Sequence, residues 1–266
     1  RAPSHLRSAA SPASRLVDAL PVLRLKPGRE KSLRHRHPWI FSGAIATAEA
    51  PREPGDTVDV LSADGAFIAR AAYSPASQIR ARVWTFDPRE PVDAEFFARR
   101  VARAVAARAP MQDAEHTGCR LIHGESDGLP GVVADRYADT VVLQLSSAGA
   151  ERWRDAIVAA LVGATAAACV FERSDAEVRK LEGLPPRIGV AHGTLPAAVT
   201  FVEDRLVYRA DVVAGQKTGF YLDQRANRAA VRTLAAGRET LNAFCYTGGF
   251  TLAALAGGAT RVVAID

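Results

Sequence analysis

The sequence predicts a multidomain α/β and α+β protein in three parts: a small, mostly β module, a central α+β domain, and the start of a doubly wound parallel sheet. Three observations predict it. Residues 21 to 88 alternate apolar and polar at period two, in short runs broken by turn dipeptides. Residues 93 to 213 mix amphipathic helical patterns with strand-like runs. Residues 239 to 266 then read strand, glycine-bearing loop, helix, strand, which is one βαβ unit.

The elements follow in order. "PVLRLK" and "IRARVWTF" alternate as strands, and "GDTVDVLSADGAFIARAAY" reads as a hairpin turning at Asp64-Gly65. Asp93 is placed to cap the helix "AEFFARRVARAVAARA", whose apolar face is Phe96, Phe97, Val101, Ala104 and Val105; Pro110 ends it. Residues 119 to 146 return to strands, with turns at Asp127-Gly128, Pro130-Gly131 and Tyr137-Ala138-Asp139. A helix is expected over 150–162, with Trp153, Ile157, Ala160 and Leu161 inward and Gly163 closing it. "CVFERSD" is a strand, and Ser174 with Glu177 has capping-box spacing for a short helix to Leu181. "AVTFVED" and "LVYRADVV" are two further strands. A helix capped by Asp223 and closed by Gly237 leads into "TLNAF", "CYTGG", "FTLAALAGG" and "TRVVAID".

The 266 residues are 48% hydrophobic and 24% charged, a soluble composition without an apolar run of 18, so no membrane partner is expected. Cys119, Cys169 and Cys245 lie far apart, which argues against a disulfide framework or a zinc site, and the histidines lack ligand spacing, so no metal is expected. This cysteine usage suits a reducing, cytoplasmic setting. The chain starts at Arg1 and holds Met111 as its single methionine, so residues 1–20 read as a disordered or mis-called extension.

Charge is uneven. Residues 1–36 carry nine Lys/Arg against two acids, a net of +7, and the other 230 residues carry −2. A basic block at one end is a handle for a polyanion. "RHRHPWIFSGAI" (34 to 45) interleaves cations with Trp39 and Phe41, which suits RNA, and the aromatics are expected to face inward and the cations outward. The candidate RNA-binding residues are Lys26, Arg29, Lys31, Arg34, Arg36 and His37.

The βαβ unit carries the cofactor argument. The glycine pair Gly248-Gly249 lets a ligand approach the backbone, and a helix with free N–H groups follows. Asp266 ends the next strand, 17 residues after Gly249, where an acid accepts from ribose hydroxyls. The loop lacks GxGxxG, which disfavours a dinucleotide such as NAD and favours a nucleoside cofactor such as S-adenosyl-L-methionine. Cys245 has no histidine near it in sequence and reads as a passenger in a cofactor loop; Cys119 and Cys169 read as small buried residues. "GQKTGFYLDQR" (215 to 225) either lines a site or is a linker with a helix cap. "HGESDGLPG" (123 to 131) reads as a turn before it reads as an acid–base pair.

"KPGREKSLRHRHPWIFSGAI", "YSPASQIRARVWTFDP", "GESDGLPGVVADRY", "ERSDAEVRKLEGL", "GQKTGFYLDQRANR" and "LNAFCYTGGFTLAALAGGATRVVAID" together resemble the RlmI-type bacterial 23S rRNA (cytosine-C5) methyltransferases, from about Leu23 to Asp266. The resemblance implies a PUA RNA-binding domain at 21–92, a central α+β domain at 93–205, and the incomplete N-terminal part of a Rossmann-like methyltransferase domain at 206–266, after the extension at 1–20. It implies Phe244, Tyr246, Thr247, Gly248 and Gly249 as the cofactor loop and Asp266 as the ribose acid, with Lys217, Thr218 and Gln224 bordering the pocket. It implies large-subunit rRNA as partner and methylation of cytosine C5 through a cysteine nucleophile. No catalytic residue is identified in this chain; the nucleophile is expected beyond Asp266, which would leave the fragment inactive. The alternatives are a non-catalytic RNA-binding fragment and a methyltransferase acting on guanine. The oligomeric state stays open, a homodimer being one option.

Overall fold

The structure, a computed structural model, describes residues 20–48 and 53–266. The expected extension at 1–20 therefore falls almost wholly outside the described residues.

The first unit is a six-stranded sheet. Its strands are β1 (Val22–Leu25), β2 (Trp39–Phe41), β3 (Ile45–Ala48), β4 (Thr57–Leu61), β5 (Phe67–Tyr73) and β6 (Ile79–Thr85), in the order β2-β6-β5-β4-β1-β3. A one-turn helix, α1 (Lys31–Arg34), follows β1. Alternation buries Leu23 and Leu25 from β1, Val58 and Val60 from β4, and Ala69 and Ala71 from β5. The parity of β2 is opposite to the expectation. Ile40 is buried, so its neighbours Trp39 and Phe41 turn outward: Trp39 is half-buried and Phe41 is 50% exposed.

The second unit is a five-stranded sheet with helices against it. Its strands are β7 (Gly118–His123), β8 (Val132–Tyr137), β9 (Thr140–Leu145), β10 (Cys169–Ser174) and β11 (Arg187–Gly193), in the order β11-β10-β9-β8-β7. Only β9 and β10 pair in parallel, across the crossover that holds α3 (Ala148–Arg152) and α4 (Arg154–Thr165). The helix α2 (Ala94–Arg108) is capped as expected, Asp93 accepting from the Phe96 N–H at 2.8 Å, and buries Phe96, Phe97, Val101 and Ala104. Cys119 and Cys169 are buried, as expected.

Three local expectations are corrected. The helix over 150–162 is two helices broken at Trp153; Ser147 caps the first, and the second runs through Gly163 to end at left-handed Ala166. The capping box at Ser174 and Glu177 does not form. Ser174 instead donates to Glu172 at 2.8 Å and accepts from the Leu145 N–H at 2.9 Å, tying β10 to β9, and α5 (Val178–Leu181) starts without a side-chain cap. Strand β11 went unrecognised because its residues are mostly exposed and carry no clear alternation.

A hairpin, β12 (Val199–Glu203) and β13 (Leu206–Ala210), comes next, then α6 (Arg225–Leu234), β14 (Glu239–Ala243), α7 (Gly249–Ala256) and β15 (Arg261–Ile265). β14 and β15 pair in parallel from Glu239–Arg261 to Ala243–Ile265, with α7 as the crossover. The turn of the hairpin contains the expected division at 205/206. Asp223 does not cap α6; its carboxylate pairs with Lys217 at 2.8 Å. Among the described residues no helix is long and apolar enough to cross a membrane.

Candidate functional site

The carboxyl ends of β14 and β15 lie side by side, which in a parallel sheet is where ligands bind. The loop leaving β14 is contorted. Phe244, Tyr246 and Gly248 all take left-handed φ, at +60°, +48° and +75°. Three hydrogen bonds hold this shape. Cys245 N–H donates to the Ile265 carbonyl (3.0 Å), Tyr246 N–H to Asp266 Oδ1 (3.0 Å), and Gly248 N–H to the Cys245 carbonyl (2.8 Å). Asp266 is thus clasped through one oxygen and keeps Oδ2 for another donor. Gly248 starts α7 with no side chain capping it. A Cβ on Gly249 would lie 3.3 Å from the Phe220 ring and 3.4 Å from Arg228, so glycine lets α7 close on both.

Opposite this loop stands the segment before α6. The Tyr246 hydroxyl accepts from Gln216 N–H at 2.8 Å, and its ring meets Tyr221 edge-on at 5.7 Å. Burial pushes the Tyr246 phenol above its ordinary pKa. Asp211 folds the chain beneath it, accepting from the Ala214 and Val213 N–H groups, and these bonds hold its carboxyl below the usual range. Arg228 of α6 closes the floor. It makes a two-point pair with Glu203 of β12 (2.5 and 2.7 Å), donates to the Tyr221 carbonyl at 2.9 Å, and lies 4.8 Å over the Phe220 ring.

These walls enclose a cavity of about 420 Å³. Of the residues read from sequence, Phe244, Tyr246, Thr247, Gly249, Gln224 and Asp266 line it together. Gly248 supports it as the cap of α7. Thr218 stands apart: it is fully buried, donates to Asp135 at 2.6 Å and bonds the Tyr137 hydroxyl at 2.9 Å, so its hydroxyl is consumed inside the fold. Lys217 faces a neighbouring cavity, 4.3 Å over the Tyr221 ring, and its ammonium holds Asp223 below the usual carboxylate range. Gln216, Phe220, Tyr221, Arg228, Cys245 and Phe250 line the first cavity and were not selected from sequence. Phe220 and Tyr221 sat in the quoted segment beside it. Arg228 had no signal, since its partner Glu203 is 25 residues away.

The donor set fits an adenosine-type group: a carboxylate oxygen for ribose hydroxyls, aromatic rings for a base, and no glycine-rich cradle for a pyrophosphate.

The candidate RNA residues are placed differently. Lys26, Arg29, Lys31, Arg34, Arg36 and His37 are all exposed on and around α1. Arg36 lies 5.2 Å over the Phe86 ring, and His37 Nδ1 accepts from the Trp39 N–H. The Trp39 indole donates to Glu125 at 2.7 Å, joining this face to the turn at 124–127. That turn behaves structurally, as expected: Asp127 is held by Arg108 at 2.5 and 2.9 Å.

Comparison with known proteins adds the following. Residues 23–86 match the family model of a PUA-like domain, and residues 191–266 match that of an S-adenosylmethionine-dependent methyltransferase. The chain is 51% identical over 247 residues to the ribosomal RNA large subunit methyltransferase I of Shewanella frigidimarina, and 48% identical over 246 residues to that of Shigella boydii. In both cases 92% of this chain is aligned, and it spans 62% of the relative's length. Among solved structures, a protein from Streptococcus mutans described as a SAM-dependent methyltransferase superposes with a TM-score of 0.75 at 23% identity, over 92% of this chain and 63% of that one. A second, SMU.776, described as a methyltransferase and complexed with SAH, gives 0.77 at 23% identity, over 92% and 62%. The two family models and these superpositions together show the fold: a PUA-like domain and an S-adenosylmethionine-dependent methyltransferase fold in a multidomain α/β chain.

Proposed function

We propose that this chain belongs with the large-subunit ribosomal RNA methyltransferase I proteins it resembles, and supplies their RNA-docking and adenosine-binding parts. The observation that carries the reading is the clasp at the strand ends. Asp266 fixes the left-handed loop through Tyr246 and keeps a free oxygen at the mouth of an aromatic cavity. In this reading Asp266 Oδ2 accepts from ribose hydroxyls, and Phe244, Tyr246 and Thr247 flank the adenosine. Gln224 borders it, and Gly248 and Gly249 let it approach the start of α7. Lys217 and Thr218 act from outside the pocket. S-adenosylmethionine, when bound, supplies an electrophilic methyl group.

The substrate is large-subunit rRNA in the cytoplasm, held by Lys26, Arg29, Lys31, Arg34, Arg36 and His37. The acceptor is cytosine C5, activated by a cysteine outside residues 1–266. The divisions are 21–92 for the RNA-binding domain, 93–205 for the central one and 206–266 for the methyltransferase part. The hairpin joins the last two, Phe201 packing on Tyr137 at 5.3 Å and on Phe220 at 4.9 Å.

Two measurements test this. Calorimetric titration of the chain is expected to give binding of S-adenosylhomocysteine and none of NADH; the reverse would make it a dinucleotide enzyme. Full-length protein incubated with deproteinised large-subunit rRNA and labelled methyl donor is expected to yield labelled 5-methylcytosine. Label on guanine would keep the methyltransferase and overturn the C5 assignment; no label would sink both.

A further inference from the structure

Next to the adenosine-type cavity lies a second one of about 540 Å³, and the two share Phe220 as a wall. Its lining is cationic. Arg108, Arg120, Lys217 and Arg225 face it beside the imidazole of His123, against one lining carboxylate, Asp223. These cations come from four separate places in the chain: the end of α2, strand β7, the segment before α6, and the first turn of α6.

The partners of the three arginines lie behind them. Arg120 holds Asp135 through Nε and Nη2 at 2.8 and 2.9 Å, and Asp135 is 1% exposed. That leaves Arg120 Nη1 directed toward His123, 3.4 Å from Nδ1. Arg225 bonds Glu203 through Nε at 3.4 Å and the Gly118 carbonyl through Nη2; Glu203 is also 1% exposed. Arg108 is tied to half-buried Asp127. The buried carboxylates therefore orient the guanidinium groups without occupying the open side. Lys217 keeps donors free after its single bond to Asp223. The uncapped first turn of α6 adds its own partial positive charge on the same side. Planar guanidinium groups held in this way suit a phosphate. The apolar walls of Met111, Phe220 and Leu222 suit a sugar or base beside it.

We infer that this second cavity binds a phosphodiester of single-stranded RNA, holding the substrate strand beside the methyl-donor pocket. The inference rests on the RNA methyltransferase reading for the identity of the anion. The cation arrangement stands apart from that reading. A strand anchored here has its neighbouring nucleotide at the shared wall of Phe220, facing the adenosine-type cavity.

The test uses the chain with a labelled ten-nucleotide single-stranded RNA, followed by fluorescence anisotropy across a salt series. Lys217→Gln is expected to weaken RNA binding several-fold and to reduce the slope of log K against log salt by about 0.7, one phosphate contact. Lys217→Arg, which keeps the charge, is expected to restore both. S-adenosylhomocysteine binding is measured in parallel on the unmodified chain. Unchanged RNA affinity and slope in Lys217→Gln would overturn the site. Loss of S-adenosylhomocysteine binding by the unmodified chain would instead overturn the methyltransferase reading and leave the RNA result to be read by itself. A measurement on the unmodified protein guards against a folding defect. RNA carrying 4-thiouridine is expected to crosslink under ultraviolet light to peptides covering 118–126 or 217–226, and crosslinks confined to the first unit would exclude the cavity.

Discussion

Arg228 shows how one residue serves both stability and the site. Its guanidinium is 3% exposed and Glu203 is 1% exposed, so each is tolerated inside only because of the other. It also covers Phe220 and bonds the Tyr221 carbonyl, which fixes two walls of the cavity. Arg228→Ala leaves Glu203 facing the weaker, longer contact from Arg225. Breaking such a pair costs about 3–5 kcal/mol. A drop of this size is expected in urea unfolding of the chain, together with weaker binding of S-adenosylhomocysteine. Arg228→Met combined with Glu203→Leu removes both charges at once and is expected to recover most of the stability but not the ligand affinity. If the double variant were as unstable as the single one, the cost would lie in packing rather than in the orphaned carboxylate.

Among the elements, the turn before β7 is tied to the turn of the β12–β13 hairpin by a histidine. His116 Nε2 contacts Asp204 at 3.0 Å and Nδ1 contacts Asp113 at 2.9 Å, so both ring nitrogens face carboxylates. Asp204 first, then Asp113, raises the folded pKa above the ordinary 6.5. The proton is held more tightly in the folded chain than in the unfolded one. The added stability is therefore full below the unfolded value, and is lost as pH rises through the folded one. Thermal unfolding is expected to move to lower temperature as pH rises above about 6.5, and His116→Gln is expected to flatten that dependence. A variant whose curve runs parallel to wild type would show that another group carries the effect.

Elements of this kind also show what was legible beforehand. The α2 face, the Asp93 cap and the βαβ order were legible because they depend on neighbours a few residues apart. Trp39 and Phe41 were misread because three residues of alternation fit either face, and Ile40 decides which one is core. Asp223 looked like a cap, but Lys217 takes its carboxylate first. The loop that joins the ends of β14 and β15 was legible from Gly248, Gly249 and Asp266. Arg228 and the second cavity were not, since their residues meet only through pairings across the fold, such as Arg225 with the Gly118 carbonyl, 107 residues apart.

At the scale of the whole molecule, the first unit is fixed to the second rather than tethered to it. Trp84, on the last strand of the first sheet, belongs to the core of the second, meeting Phe96 and Phe97 edge-on at 6.3 and 5.2 Å. Arg82 and Glu182 form a buried pair at 2.7 Å across the junction, and a Cβ on Gly149 would lie 2.3 Å from that of Ala72. The basic surface on α1 is thereby held in a set position relative to the cavities at the other end of the chain, so an RNA that reaches both meets a preformed path. Lys31 and Arg34 lie exposed on that surface, far in sequence from the site. If they contact RNA as proposed, counterion release sets the size of their contribution. Binding of single-stranded RNA is expected to weaken steeply with salt, and Lys31→Gln with Arg34→Gln together is expected to flatten the slope of log K against log salt by about 1.4, two contacts at about 0.7 each. Because these residues stand clear of the cores, the unfolding midpoint and S-adenosylhomocysteine affinity are expected to stay at wild-type values. Binding that is independent of salt, or a double variant with an unchanged slope, would remove this surface from the RNA path while leaving the cavity beside Phe220 to be judged by its own variants.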